Sequence, residues 1–229
     1  MVSSVLSSPV TVRCKGVLFD MDGILISSLG SVERSWTKWA NLRDVDPSRA
    51  MSIAHGRRAI ETIAMLRPDL DAAAELRVIE DIEMKDGDGL SVLPGVLDLL
   101  ASLPADRWTV VTSATDRLAR VRLAMAGLPV PDRLITADSV ALGKPDPAPY
   151  VAGAALLGFA PAHCTVFEDS PSGVRSGHAA GCTVVATPFS HGAEELAVAD
   201  YFVADLRAVK VEMNANRDML LLRFTPAIA

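Results

Sequence analysis

Hydrophobic positions change period several times along the chain, and the changes divide it. Val17, Leu18 and Phe19 are consecutive apolar, β-favouring residues, the pattern of a strand buried on both faces of a parallel sheet. From residue 29 to 90 the pattern becomes helical. Trp36, Trp39 and Ala40 share a face in a run beginning near Ser31, and Ile60, Ile63 and Ala64 share another in a run that Pro68 ends. Asp71 opens a third run with Leu76, Ile79 and Ile82, and Asp86-Gly87-Asp88-Gly89 closes the segment with turn residues. From Leu93 onward helices and strands alternate. A helix is predicted from Pro94-Gly95 through Leu100, a strand over 108–112, and a helix capped by Asp116 with Leu118, Val121 and Met125 on one face. A short strand over 134–136, a helix from Asp146-Pro147 to Gly158, a strand over 165–167 and a helix over 171–180 follow, then strands over 183–186 and 201–203.

Alternating strands and helices imply parallel pairing with crossovers on both faces. The helical stretch 29–90 is too long for a crossover. The predicted fold is therefore α/β: a doubly wound, Rossmann-like parallel-sheet core from residues 1–28 and 91–229, carrying an inserted all-helical cap of residues 29–90. Residues 205–229 hold candidate strands over 209–212 and 220–224 that the pattern assigns to no place.

Composition changes this picture little. Half of the 229 residues are hydrophobic and 22% are charged, ordinary values for a globular chain. The net charge of −6 argues against a general nucleic-acid binder and against docking on anionic lipid, while leaving room for a small anion held by a local cluster of cations and amides. No apolar run approaches the roughly 20 residues that span a bilayer, and residues 1–9 lack a basic stretch before a hydrophobic one, so no membrane partner and no signal peptide are expected. Cys14, Cys164 and Cys182 are odd in number, widely spaced and set among apolar residues, as reduced thiols of a cytoplasmic protein would be.

The chemistry concentrates at predicted strand ends. The first strand runs into Asp20, Asp22 and Gly23, and ligands of open α/β sheets sit outside the carboxyl ends of strands. Two neighbouring carboxylates imply a metal cation, a lysine or both, although Asp-x-Asp-Gly also makes an ordinary turn. The second strand ends in Thr112, Ser113 and Ala114, where hydroxyls and backbone N–H groups can hold a phosphate oxygen; a serine of no chemical consequence is equally at home there. Lys144 lies between Gly143 and Pro145, and the proline restricts its backbone. A further strand ends in Glu168 and Asp169, followed by Ser170 and Pro171, a helix start. Oxygen ligands from two strand ends, with water, suit Mg²⁺.

With these motifs in this order, Phe19-Asp-Met-Asp-Gly, Val111-Thr-Ser, Gly143-Lys-Pro-Asp-Pro and Phe167-Glu-Asp-Ser, the chain resembles the haloacid dehalogenase-like hydrolases over residues 12–205. The resemblance implies Asp20 as the nucleophile that forms an aspartyl-phosphate and Asp22 as general acid and then base. It further implies Ser113 and Lys144 as holders of the phosphoryl group. It also implies a Mg²⁺ site made by Asp20, the Asp22 carbonyl and Asp169, helped by Glu168. Ile24 departs from the threonine commonest there. The helical insert between the first and second motifs is similar to the cap of sugar phosphatases and β-phosphoglucomutases, and His55-Gly-Arg-Arg-Ala-Ile-Glu to the cap loop of glycerol-phosphate and deoxysugar-phosphate phosphatases. His55 and Arg57 would then face the substrate, or else belong to a solvated helix start. Glu80 and Glu83 read as the charged face of an amphipathic helix. A mutase is the alternative, but residues 29–34 lack the hinge histidine of that group; Asp22 speaks against a dehalogenase, and a non-catalytic module would be expected to lack at least one of Asp20, Asp22, Lys144 and Asp169. The expected protein is a cytoplasmic Mg²⁺-dependent phosphatase of a small sugar or polyol phosphate ester, a monomer or weak dimer.

Overall fold

The computed structural model describes residues 8–54 and 57–227. Its centre is a five-stranded parallel sheet of β2 (Gly16–Phe19), β5 (Trp108–Val110), β6 (Cys164–Glu168), β7 (Thr183–Ala186) and β8 (Tyr201–Phe202), in the order β5-β2-β6-β7-β8. Every residue of β2 and β6 is buried, which is why both read as continuous apolar runs rather than alternating ones. Helices α5 (Val96–Ser102), α6 (Asp116–Met125), α7 (Ala148–Leu156) and α8 (Pro171–Ala179) connect the strands. One apolar cluster gathers Phe19, Val110, Leu123 and Phe167; the other gathers Leu18, Val166, Val174 and Val184. Adjacent residues of β2 and of β6 thus feed different clusters, as the pleat requires.

Between β2 and α5 the chain leaves the core through β3 (Ile26–Ser27) and returns through β4 (Ser91–Val92), which pair antiparallel, Ile26 opposite Val92. Among the described residues four helices lie between them: α1 (Leu29–Leu42), α2 (Pro47–Ala54), α3 (Ala59–Leu66) and α4 (Ala72–Glu83). They enclose an apolar cluster of their own, with Trp36, Trp39, Ala50, Ile63, Leu66 and Ile79 buried, and the two tryptophan rings meet edge to face at 5.5 Å. Helix α2 buries only Ala50 and Ala54; so small an apolar stripe leaves little periodic signal, and the sequence pattern does not single it out.

Three details differ from the sequence reading. Residues 134–136 form a single bridge, Ile135 beside Val111, rather than a strand. Thr115, not Asp116, caps α6, its hydroxyl accepting the Leu118 N–H. The unplaced C-terminal segments are β9 (Lys210–Met213) and β10 (Leu220–Phe224), which join β1 (Val10–Cys14) in an antiparallel sheet ordered β1-β10-β9, Val10 opposite Phe224 and Cys14 opposite Leu220. No helix among the described residues is long and apolar enough to cross a membrane.

Candidate active site

The site follows from register. Strand β2 lies between β5 and β6 with Phe19 level with both Val110 and Phe167, so the residues just beyond these strands converge at one edge. Asp20 donates its N–H to Phe167 O at 3.0 Å, and Val111 donates to Phe19 O at 2.8 Å. Lys144 enters from the connection before α7 and is 2% exposed. Its Nζ donates to Asp20 Oδ1 at 2.6 Å, Glu168 Oε1 at 2.7 Å and Val111 O at 3.0 Å. All three ammonium donors are thereby used. Tyr150, on α7, donates its hydroxyl to the same Glu168 oxygen at 2.8 Å. Glu168 Oε2 accepts from the backbone N–H groups of Asp169 and Ser170 and from the Ser170 hydroxyl. Glu168 therefore has both oxygens occupied by protein donors. Gly173 permits this packing, since a Cβ there would overlap the Glu168 carboxylate.

One carboxylate oxygen from each of Asp20, Glu168 and Asp169 lies within 4.8 Å of the other two. Lys144 touches Asp20 and Glu168, so three clustered buried acids are met by one buried base. Burial pushes the Asp20 carboxyl up to about 7; Lys144 opposes the rise, and the Glu168 charge adds to it. Burial, then the charges of Glu168 and Asp20, raise Asp169 well above the ordinary range. Glu168 goes the other way: burial opposes its charge, yet Lys144, the Ser170 N–H and the Tyr150 hydroxyl together hold it below the usual value. Lys144 is held protonated, its burial outweighed by Asp20 and Glu168. A surplus of buried negative charge of this kind suits a bound cation.

Asp22 is held apart from this cluster. Ser28 occupies the N-cap position of α1 but caps nothing; its hydroxyl donates instead to Asp22 Oδ1 at 2.5 Å. Arg122, on α6, reaches both Asp22 oxygens through Nη1 at 3.1 and 3.2 Å. Between the two acids Gly23 has φ +86°, and any Cβ there would overlap the Asp169 carboxylate, so glycine is required on two counts. A loop closes the other side, Ser190 donating to Asp169 O at 3.1 Å.

One pocket is lined by Asp20, Asp22, Lys144, Asp169, Thr112, Ser113 and Ala114 from the strand ends and by Val32, Trp36, Ala54, Arg57 and Glu83 from the helical insert. Thr112 turns its hydroxyl to the Ala114 N–H at 3.1 Å, while Ser113 stands half-buried in the lining. His55 falls outside the described residues. Glu80 and Glu83 do not form a solvated face: both are buried, turned toward Thr115 and Arg122. There Thr115 donates its hydroxyl to Glu80, and Arg122 Nη2 lies 3.4 Å from Glu83. Sequence reasoning missed Arg122, Ser28 and Tyr150. Arg122 sits among other arginines of a charged helix and Ser28 looks like a cap, so neither carried a signal; Tyr150, an aromatic between Pro149 and Val151, reads as core.

A parallel sheet that gathers a lysine and acids at its carboxyl edge beneath a helical insert is a doubly wound α/β core with a capped site. The chain belongs to the haloacid dehalogenase-like hydrolases, whose family model matches residues 14–181. It is 40% identical over 214 residues to hexitol phosphatase A of Escherichia coli strain K12, covering 91% of this chain and 99% of that protein. It is 31% identical over 233 residues to glycerol-1-phosphate phosphohydrolase 1 of Saccharomyces cerevisiae, covering 95% and 93%. Among solved structures, a hydrolase from Pseudomonas syringae superposes with a TM-score of 0.74 at 23% identity, over 83% of this chain and 93% of that one, which speaks for the fold.

Proposed function

We propose that this chain is a phosphomonoesterase that hydrolyses a small phosphorylated polyol or sugar through an aspartyl-phosphate on Asp20. The observation that carries the reading is the Lys144 ammonium, fixed between Asp20 and Glu168 at 2.6 and 2.7 Å. It holds the Asp20 carboxylate at the pocket floor, and the names of the relatives supply the substrate class.

Asp20 attacks phosphorus with one carboxylate oxygen while the ester oxygen departs. Asp22 gives that oxygen its proton and then takes one from the water that opens the acyl phosphate. Ser113 and the backbone of residues 112–114 bind the phosphoryl oxygens, and Lys144, whose donors hold Asp20, Glu168 and Val111 O, meets by its charge the negative charge that develops on them. Glu168 keeps Lys144 in place. The excess of buried acid fits a divalent cation, which Asp20, Asp169 and the Asp22 carbonyl would hold, with Glu168 acting through Lys144. Held by these residues, Mg²⁺ would supply positive charge to neutralise the phosphoryl oxygens.

The cap of residues 29–90, on a core of 1–28 and 91–229, contributes the pocket wall. His55 and Arg57 are assigned to the substrate side, and a pocket set between the strand ends and the helical insert favours a small molecule over nucleic acid or protein and limits the access of bulk water to the intermediate. Three buried free thiols support a cytoplasmic setting. The test is inorganic phosphate release with Mg²⁺ from a panel of polyol and sugar phosphates. Release from small polyol or sugar phosphates upholds the reading; conversion of β-glucose 1-phosphate to the 6-phosphate with no release would make the protein a mutase.

A further inference from the structure

Arg122 uses only part of its guanidinium on Asp22. Nη1 is taken by the carboxylate, but Nη2 is buried without a hydrogen-bond partner among the described residues. Glu83, at the end of α4, brings Oε1 to 3.4 Å from Nη2, an ion-pair distance without hydrogen-bond geometry. Arg122 is 5% exposed and Glu83 6%, and both line the pocket that holds Asp20 and Asp22. A buried donor without a partner thus stands beside a pocket-lining carboxylate that does not satisfy it, which is costly unless a third group joins them. A hydroxyl both accepts and donates, and so answers both.

Its position follows from Arg122. The same guanidinium touches Asp22, which the phosphatase reading sets against the departing ester oxygen, and then continues to Glu83. The joining hydroxyl is therefore borne by the leaving group close to the ester, on the carbon next to the one that carries phosphate. We propose that Glu83 and Arg122 form a hydroxyl-reading subsite that selects open-chain polyol phosphates bearing a hydroxyl on that second carbon. The inference rests on the phosphatase reading above and names its substrate more narrowly. In a pyranose 6-phosphate the second carbon carries the ring oxygen, which accepts from Arg122 but offers Glu83 no proton. An alkyl phosphate offers neither.

The test compares kcat/KM, with Mg²⁺, for glycerol 1-phosphate against n-propyl phosphate and for sorbitol 6-phosphate against glucose 6-phosphate. A site built to bond a hydroxyl rejects the analogue without it strongly, so wild type is expected to prefer glycerol 1-phosphate by about 100-fold or more. Sorbitol 6-phosphate is expected to exceed glucose 6-phosphate in the same direction. Glu83→Met keeps the side-chain length, removes the acceptor and is expected to shrink the glycerol-to-propyl ratio to a few-fold; being a ratio on one preparation, it is insensitive to partial unfolding. Equal kcat/KM for glycerol and propyl phosphates in wild type would overturn the subsite while leaving the phosphatase standing. An unchanged ratio in Glu83→Met would likewise overturn it, and hydrolysis of none of the four would overturn both readings.

Discussion

Lys144 makes contacts that no other side chain could replace: three acceptors within 3.0 Å, two of them carboxylates, in a place with almost no solvent. Removing one partner of a buried ion pair leaves the other charge unpaired, at roughly 3–5 kcal/mol. Lys144→Met is therefore expected to lower unfolding free energy by that order in urea titration, and to cut phosphate release about 100-fold or more through loss of a preorganised cation. The cysteines show the opposite side of burial. Burial pushes the Cys14 thiol up to about 11 and those of Cys164 and Cys182 up to about 12. The folded protein is expected to consume no Ellman reagent at pH 8, and all three thiols to react once it is denatured. At this scale the sequence disclosed the acids and the lysine, because each stands beside glycine, proline or a capping serine that marks a strand end. It did not disclose Arg122, whose meaning depends on Asp22, a hundred positions away.

Among the elements, α4 carries most of what the pattern concealed. Its acidic positions 80 and 83 look solvated by spacing, yet the helix turns them onto α6. Glu83 has its carboxyl raised to about 7 by burial, with Arg122 opposing and the Asp22 and Glu80 charges adding to the rise. Below its unfolded value of about 4.5 both states hold the proton and stability is unaffected; as pH rises the unfolded chain ionises first, so stability falls until the folded group ionises near 7. Between pH 4.5 and 8, wild type is expected to lose about 3 kcal/mol relative to Glu83→Gln, measured by chemical denaturation at each pH; parallel curves would show that Glu83 ionises normally. The strands of the parallel sheet were legible because burial on both faces writes an unbroken apolar run. β1 was written too, as the alternation Val10, Val12, Cys14, but its partner β10 lies at the far end of the chain, and alternation does not name a partner. The bridge at Ile135 shows the converse, an apolar triplet too short for a ladder of its own.

At the scale of the molecule, the apolar cluster of the helical insert and the two clusters of the sheet lie on either side of a pocket, and the β3–β4 pair is where the chain crosses between insert and sheet. The arrangement leaves negative charge uncompensated at the seam, so the metal is expected to act on the whole fold. Added Mg²⁺ should raise the melting temperature, EDTA should abolish phosphate release reversibly, and both effects should shrink in Asp169→Asn. Gly23→Ala tests the same seam from the backbone: with φ +86° and the Asp169 carboxylate against it, the substitution is expected to cost about 1–3 kcal/mol and to weaken the Mg²⁺ response in the same thermal scan. The sequence carried the order of the motifs along the chain, and hence the family; the match of cap to core depends on side chains from α1, α4 and α6 that only the fold brings together.

The proposed activity stands or falls with Asp20 as the group that receives the phosphoryl unit. The direct measurement is phosphate release from glycerol 1-phosphate and sorbitol 6-phosphate with Mg²⁺, by wild type and by Asp20→Asn, each shown to be folded by circular dichroism. Release by wild type with none from the folded variant is the expected result; a folded Asp20→Asn that releases phosphate at the wild-type rate would contradict it.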